Sequence, residues 1–189
     1  MSVDVISNAV LEPAWLAYEQ QRHAKVPARY FRWLRDQGSL TQRVKGACPG
    51  HFGVRLRHQG WGVPLPSERR LLGMGRARFG MLREVELCCD GRPWVFARTV
   101  IPARSLHGGA RRLAHLGEHP LGAVLFADPA TRRGRVEFAR LAPRQPLYEA
   151  AVRHLEQRPP ELWGRRAVFY FVGKPLLVNE IFLPEIPDA

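Results

Sequence analysis

The chain has 189 residues, 46% of them hydrophobic and 24% charged, a balance that excludes global disorder and fits one domain or at most two small ones. Its 29 basic and 17 acidic residues leave a net charge of +12, which attracts anions in general without choosing among nucleic acid, acidic lipid and a small carboxylate. No uninterrupted apolar run approaches the ~20 residues of a membrane-spanning helix, and the N-terminal stretch, with Asp4 early and no basic segment ahead of an apolar one, is not a secretory signal.

The first element expected is a short helix from Pro13 to His23, inside an N-terminal extension (residues 1–24) of unassigned docking. A clearer helix follows Val26: Pro27 suits a first-turn position, Tyr30, Phe31 and Leu34 form the apolar stripe, and Gly38 stops it. Ser39 is placed to cap a further turn through Leu40, Thr41 and Gln42. From His51 the period changes to two, with Phe52, Val54 and Leu56 alternating as in a strand. Pro64, Pro66 and the Gly73-x-Gly75 region predict a loop with about one helical turn. The strongest hairpin signal comes next: Gly80 to Cys89 alternates, Asp90-Gly91 suits a type I′ turn, and Arg92 to Ile101 returns, irregular at Pro93. Residues 104–126 are helical in character, broken at Gly117 and Pro120. Arg135 to Leu141 is a strand, and residues 142–160 read as an insertion-like surface helix. A second hairpin closes the chain, Arg165 to Val172 and Pro175 to Leu183, turning at Gly173-Lys174. Antiparallel hairpins with helices grouped between them predict an α+β fold: a single antiparallel sheet with helices packed around it, forming one domain over 1–189.

Twenty-six of the basic residues are Arg, dispersed in pairs such as Arg69-Arg70 and Arg165-Arg166 rather than gathered into a block. That pattern reads as a solvated surface, not a nucleic-acid stripe. The three cysteines are Cys48, Cys88 and Cys89. Adjacent cysteines rarely pair, no C-x-x-C is present, and an odd total argues against a secreted disulfide framework. The expectation is a reducing, cytoplasmic compartment.

Alternation also puts charge where charge is costly. Met81, Arg83, Val85 and Leu87 share one face of the first hairpin, so Arg83 stands in an apolar file. In the last strand Leu176, Val178, Glu180 and Phe182 share a face, so Glu180 interrupts another. Either the two form a buried ion pair holding the sheet together, or they face a cavity whose ligand pairs with them. Alternation alone leaves both readings open. Other motifs carry less. His115-Leu-Gly-Glu118-His119 has the H-x-x-E-H spacing of a zinc protease class, but Gly117 lies inside it and Pro120 follows, so one helix bearing both histidines is not expected. Gly73-Met-Gly75 lacks the third glycine of a dinucleotide loop. Trp94 and Trp163 have the spacing of core strands.

These residues lie in a pattern of fixed order: Leu82-Arg83-Glu84 leading to Cys89-Asp90-Gly91-Arg92-Pro93-Trp94, then Ala97-Arg98-Thr99-Val100-Ile101-Pro102, Leu116-Gly117, Pro120-Leu121-Gly122 and Leu125-Phe126. Leu162-Trp163-Gly164-Arg165-Arg166, Gly173-Lys174-Pro175-Leu176-Leu177 and Glu180-Ile181-Phe182-Leu183-Pro184 follow. From about Val26 to Pro184 the chain resembles the chorismate pyruvate-lyase family, with departures before Arg78 and around 128–160.

The resemblance implies a ligand enclosed between the sheet and helical flaps. It implies Arg83 and Glu180 as the catalytic and substrate-binding side chains, with Leu40 and Leu121 contributing backbone amides. The family often has Met where Leu40 stands, an exchange a backbone contact tolerates. It implies pyruvate elimination from chorismate to give 4-hydroxybenzoate for ubiquinone biosynthesis, with no cofactor or metal and with product inhibition from the closed site. A desolvated Glu180 of raised pKa is expected to pass the proton. The implied partner is chorismate, bound by a monomer without nucleic acid or stable membrane insertion. The competing class is a non-catalytic, effector-sensing domain of the same fold, which in regulators accompanies a DNA-binding domain; no helix-turn-helix pattern occurs in the first 38 residues.

Overall fold

Period-two patterning dominates the chain, and the computed structural model, which describes residues 10–17, 20 and 26–188, turns it into a seven-stranded antiparallel sheet among those residues. The strands are β1 (Leu16–Ala17), β2 (Phe52–Gly62), β3 (Gly80–Cys89), β4 (Arg92–Pro102), β5 (Arg132–Leu141), β6 (Leu162–Phe171) and β7 (Lys174–Phe182). Their spatial order is β1-β5-β6-β7-β4-β3-β2. Around them lie α1 (Ala28–Arg35), α2 (Leu40–Ala47), α3 (Pro66–Leu71), α4 (Leu121–Ala127), α5 (Pro146–Val152) and 3₁₀ segments at Ala103–Ser105 and Gly108–His115. The expected α+β class is the one observed.

Both hairpins follow from their turns. Asp90 (φ 48°) and Gly91 (φ 76°) both take positive φ, as a type I′ turn requires. Pro93 faces Cys88 where the β3–β4 register shifts, because its missing N–H cannot continue the ladder. The second turn sits one residue earlier than expected, on Val172 (φ 50°) and Gly173 (φ 70°).

The cavity side of the sheet carries two apolar clusters. One gathers Trp33, Leu34, Leu40, Val44, Val85 and Phe182 beneath α1 and α2. The other gathers Leu113, Leu121, Leu125, Phe169 and Val178 beneath the second 3₁₀ segment and α4. The opposite side is closed by α5 through Leu147, Tyr148, Ala151 and Val152, packed on Phe96, Leu162 and Ile181. It also holds a buried polar network: Arg98 donates to Glu68 at 3.0 Å and to Glu84 at 2.5 Å, and Asn179 Nδ2 donates to Glu68 at 3.0 Å. Every β3 residue is consequently buried, which locks the strand carrying Arg83 on both faces.

Four expectations need correction. Residues 13–15 are not helical and Leu16–Ala17 form a strand: Leu16 pairs with Phe138 of β5, and the Arg166 guanidinium lies over the Trp15 ring at 4.3 Å. The remainder of the expected helix falls largely outside the described residues. In α1 the buried stripe is Tyr30, Trp33 and Leu34, while Phe31 is exposed, because the i, i+3, i+4 geometry selects Trp33. The 142–160 segment is no surface addition, since α5 buries four side chains in the core. Finally, Cys48 and Cys89 form a disulfide, leaving Cys88 free and buried.

That disulfide joins the C-cap of α2 to the end of β3, with Cα atoms 5.6 Å apart. An odd cysteine count did not exclude it, since the third thiol simply stays unpaired. The inference of a reducing compartment loses its premise. The bridge closes a loop across 41 residues, for which chain-entropy reasoning allows up to about 4 kcal/mol of stabilisation. Cys48→Ser is therefore expected to lower the urea-unfolding midpoint of the oxidised protein, and the difference should vanish when both proteins are reduced. Equal midpoints under oxidising conditions would refute the contribution.

Candidate functional site

Arg83 comes from the middle of β3 and Glu180 from β7, with β4 between them. Thr99 pairs with both Arg83 and Val178, and Ala97 pairs with Glu180. Two strand spacings and two residues along the strand separate the two Cα positions by about 12 Å. Both side chains rise on the same face, at the seam between the two apolar clusters. There the helices do not fill the space, and a hollow remains whose empty volume, including its open mouth, is about 510 Å³.

The sheet lines this hollow with Arg83, Val85, Leu87, Ala97, Thr99 and Glu180, and Phe126 of α4 also borders it. Its roof is made by the beginnings of α2 (Ser39, Leu40, Thr41) and α4 (Leu121, Gly122). Ser39 caps α2 by accepting from Gln42 N at 3.4 Å. A Cβ on Gly122 would lie 3.0 Å from Thr41 Oγ1 and 3.1 Å from Ser39 Oγ, so glycine lets the two helix starts close on each other.

Electrostatically the two charged groups differ. Arg83 is 2% exposed. It donates to Gly117 O through Nη2 (2.8 Å) and Nε (3.3 Å) and to His119 O at 2.8 Å. Among the described residues no carboxylate pairs with it, and burial pushes its pKa down to about 10. Glu180 has a partner: its Oε2 accepts from Arg165 Nε at 2.6 Å. The expectation of a carboxyl among apolar neighbours alone is corrected by this ion pair. Arg165, itself 1% exposed, also donates to Trp33 O at 2.8 Å and to Asp36 O. Nearby, Arg133 lies over the Phe169 ring at 5.5 Å. Burial lowers its pKa, Arg165 adds to that, and Glu180 and Asp36 oppose it.

All four residues singled out from the sequence, Leu40, Arg83, Leu121 and Glu180, line the one hollow. Arg165 was missed as a site residue, although it carried the same signal as Arg83: it interrupts the apolar file Trp163, Ala167, Phe169, Phe171 on β6. The H-x-x-E-H histidines are parted by Gly117 at φ 52°, and the main chain of that segment anchors Arg83 instead.

A family model described as "Chorismate lyase" matches residues 11–188. The chain belongs to the chorismate lyase family. Relatives include a protein from Azoarcus sp. named "Probable chorismate pyruvate-lyase", 46% identical over 178 residues and covering 92% of each chain. A protein of the same name from Thiobacillus denitrificans is 41% identical over 183 residues, covering 97% of this chain and 95% of its own. Among solved structures, the ligand-binding domain of a putative GntR-family transcriptional regulator from Bordetella bronchiseptica aligns with a TM-score of 0.51 at 13% identity, covering 72% of this chain and 87% of its own. The effector domain of PhnF from Mycobacterium smegmatis aligns with a TM-score of 0.51 at 16% identity, covering 79% and 91%. These last two share the fold. No helix among the described residues is long and apolar enough to cross a membrane.

Among the described residues Arg83 bonds only to main-chain carbonyls, and an anion that pairs with a buried guanidinium should add stability. Benzoate is expected to raise the melting temperature of the wild type and to leave that of Arg83→Met unchanged. Equal shifts in both proteins would remove Arg83 as the anion contact.

Proposed function

We propose that this chain, acting as a single lyase domain, eliminates pyruvate from chorismate to give 4-hydroxybenzoate, the aromatic precursor used in ubiquinone biosynthesis. The observation that carries the reading is a cation and a carboxylate spaced across one small, half-enclosed apolar hollow, in a chain of this family. In chorismate the ring carboxylate and ring hydroxyl lie para to each other. A carboxylate held by Arg83 directs the hydroxyl toward Glu180. Guanidinium is well suited to the first contact because its planar fork matches a carboxylate. The amides of Leu40 and Leu121, first residues of α2 and α4, have no intrahelical acceptor and complete the anion contacts.

In the elimination the C–O bond of the enolpyruvyl ether breaks and the proton on the neighbouring hydroxyl-bearing ring carbon leaves. The ring becomes aromatic, and the enolpyruvate released takes a proton on carbon to become pyruvate. No electrons leave the system and aromatisation drives the reaction, so its chemistry asks for no redox cofactor. What the protein supplies is position and charge management. Glu180, steered by Arg165, accepts the hydrogen bond of the ring hydroxyl and shares in moving the proton. Arg83 stabilises the carboxylate through which negative charge spreads as the ring proton leaves. The roof of α2 and α4 keeps bulk water from the ether and must lift before the product escapes, so product inhibition follows.

The likeness to regulator ligand-binding domains favours one second reading, a non-catalytic sensor of the same fold for a small carboxylate. Incubating the purified, chelator-treated protein with chorismate separates the two. The lyase reading expects 4-hydroxybenzoate and pyruvate in equal amounts, with progress curves that bend early as product occupies the site. Arg83→Ala should lose about 10²-fold or more in kcat/KM, and Glu180→Gln should lose chiefly kcat. Binding of chorismate without turnover would establish the sensor. Near-normal turnover by Glu180→Gln would reduce that residue to a binder. The net charge of +12 should also draw a dianion inward, so kcat/KM is expected to fall as salt rises from about 0.01 to 0.15 M, over which the screening length shortens several-fold. A flat response would show that the bulk charge does not steer substrate.

A further inference from the structure

Arg165 stands directly across the β6–β7 ladder from Glu180, on the cavity face. One edge of its guanidinium holds the Glu180 carboxylate and another holds two main-chain carbonyls, those of Trp33 and Asp36. Trp33 lies in the last turn of α1 and Asp36 is its C-cap, so these carbonyls belong to a helix end with no intrahelical donors left. Asp36 also opens the short connection through Gln37 and Gly38 to Ser39, the cap of α2. Arg133 reaches the same Asp36 carbonyl at 3.3 Å, and the Asp36 side chain is held by Gly38 N at 2.6 Å and Arg43 at 2.8 Å. The far end of α2 is tied to β3 by the Cys48–Cys89 bridge. One planar, buried group therefore spans from the ligand-facing carboxylate to the root of the helix that roofs the cavity.

We infer that Arg165 is a positioning residue that makes seating of the α2 roof and aiming of Glu180 a single event. The inference rests on the lyase reading and deepens it. When the α1–α2 connection is seated, the guanidinium has all three partners and holds Glu180 toward the hollow. When the connection lifts, the Asp36 carbonyl leaves the guanidinium while that of Trp33, in the core-packed α1, stays, and a buried guanidinium that has lost an acceptor no longer holds one position. Glu180, bonded through Arg165 Nε, loses its aim at the same moment. A lysine could not substitute fully, because its three donors radiate from one point and cannot reach a carboxylate on one side and two carbonyls on the other. The other charged groups near the pair, Arg83, Arg133 and Asp36, make no bond to Glu180 among the described contacts, so none of them replaces the link.

The decisive experiment compares wild type, Arg165→Lys, Arg165→Met, Glu180→Gln and the double variant Arg165→Met/Glu180→Gln by amide hydrogen exchange without ligand, followed by steady-state kinetics on chorismate. Exchange of amides 36–44 is expected to quicken about tenfold in Arg165→Met, less in Arg165→Lys and in Glu180→Gln, with β3 and β4 unchanged. The double variant should exchange no faster than Arg165→Met, because the two changes cut one chain of contacts. On chorismate, Arg165→Met should lose about 10²-fold in kcat with KM nearly constant, and Arg165→Lys should recover part of it. Unchanged exchange at 36–44 in both Arg165→Lys and Arg165→Met, additive effects in the double variant, or faster exchange throughout the sheet would overturn the inference. Failure of the wild type to turn over chorismate would sink the lyase reading, while the exchange data would still decide the coupling on their own.

Discussion

A charged side chain in an apolar sheet face must find an opposite charge, a set of dipoles or a ligand. On the cavity face of this sheet Arg83, Glu180 and Arg165 meet that demand in different ways. Glu180 is neutralised by Arg165 at 2.6 Å, while Arg83 has, among the described residues, only the carbonyls of Gly117 and His119. The excess positive charge is left at one end of the hollow, where burial weakens the protonated form without abolishing it. The arrangement is polar end to end: a cation short of an anion at one side, a carboxylate with an oxygen outside its ion pair at the other. Apolar walls between them suit a flat ring.

The rest of the molecule supports that asymmetry. The far side of the sheet is filled by α5 and by the network of Glu68, Arg98, Glu84 and Asn179, where Glu68 and Glu84 more than offset the burial penalty on Arg98 and raise its pKa. Ion pairs of this kind are matched internally and need no ligand. Charged groups one residue apart, Arg83 and Glu84 on β3 and Arg165 and Arg166 on β6, thus face the hollow on one side and the structural network on the other. Strand alternation is what separates them.

The roof obeys a different constraint. α2 is held at its root by Arg165 and Arg133 on the Asp36 carbonyl and at its other end by the Cys48–Cys89 bridge. α4 is preceded by Gly117 at positive φ and by main-chain acceptors that bond Arg83 itself. The two helix starts approach closely because Gly122 presents no side chain to Ser39 and Thr41. The side chains that line the hollow and the contacts that seat its roof are therefore linked, Arg83 through the carbonyls of Gly117 and His119 and Glu180 through Arg165.

Much of this was legible in the residues alone. Period-two runs, the Asp90-Gly91 turn and the closing hairpin determined the antiparallel strands, because side-chain alternation and turn stereochemistry are local. Arg83 and Glu180 were visible as interruptions in apolar files for the same reason. The family pattern added Leu40 and Leu121, which line the hollow and whose proposed main-chain contacts no side chain announces. Tertiary structure decided what lay beyond that range. Leu16 and Ala17 pair with the β5 edge instead of coiling, α5 turns inward because the far face must be covered, and Cys48 meets Cys89 only when α2 docks on β3. Whether Arg83 and Glu180 neutralise each other or leave a hollow depended on Arg165, brought beside Glu180 by the β6–β7 register. Each of these outcomes rests on which distant surfaces are brought together, and pairing across the fold is information that a local pattern does not contain.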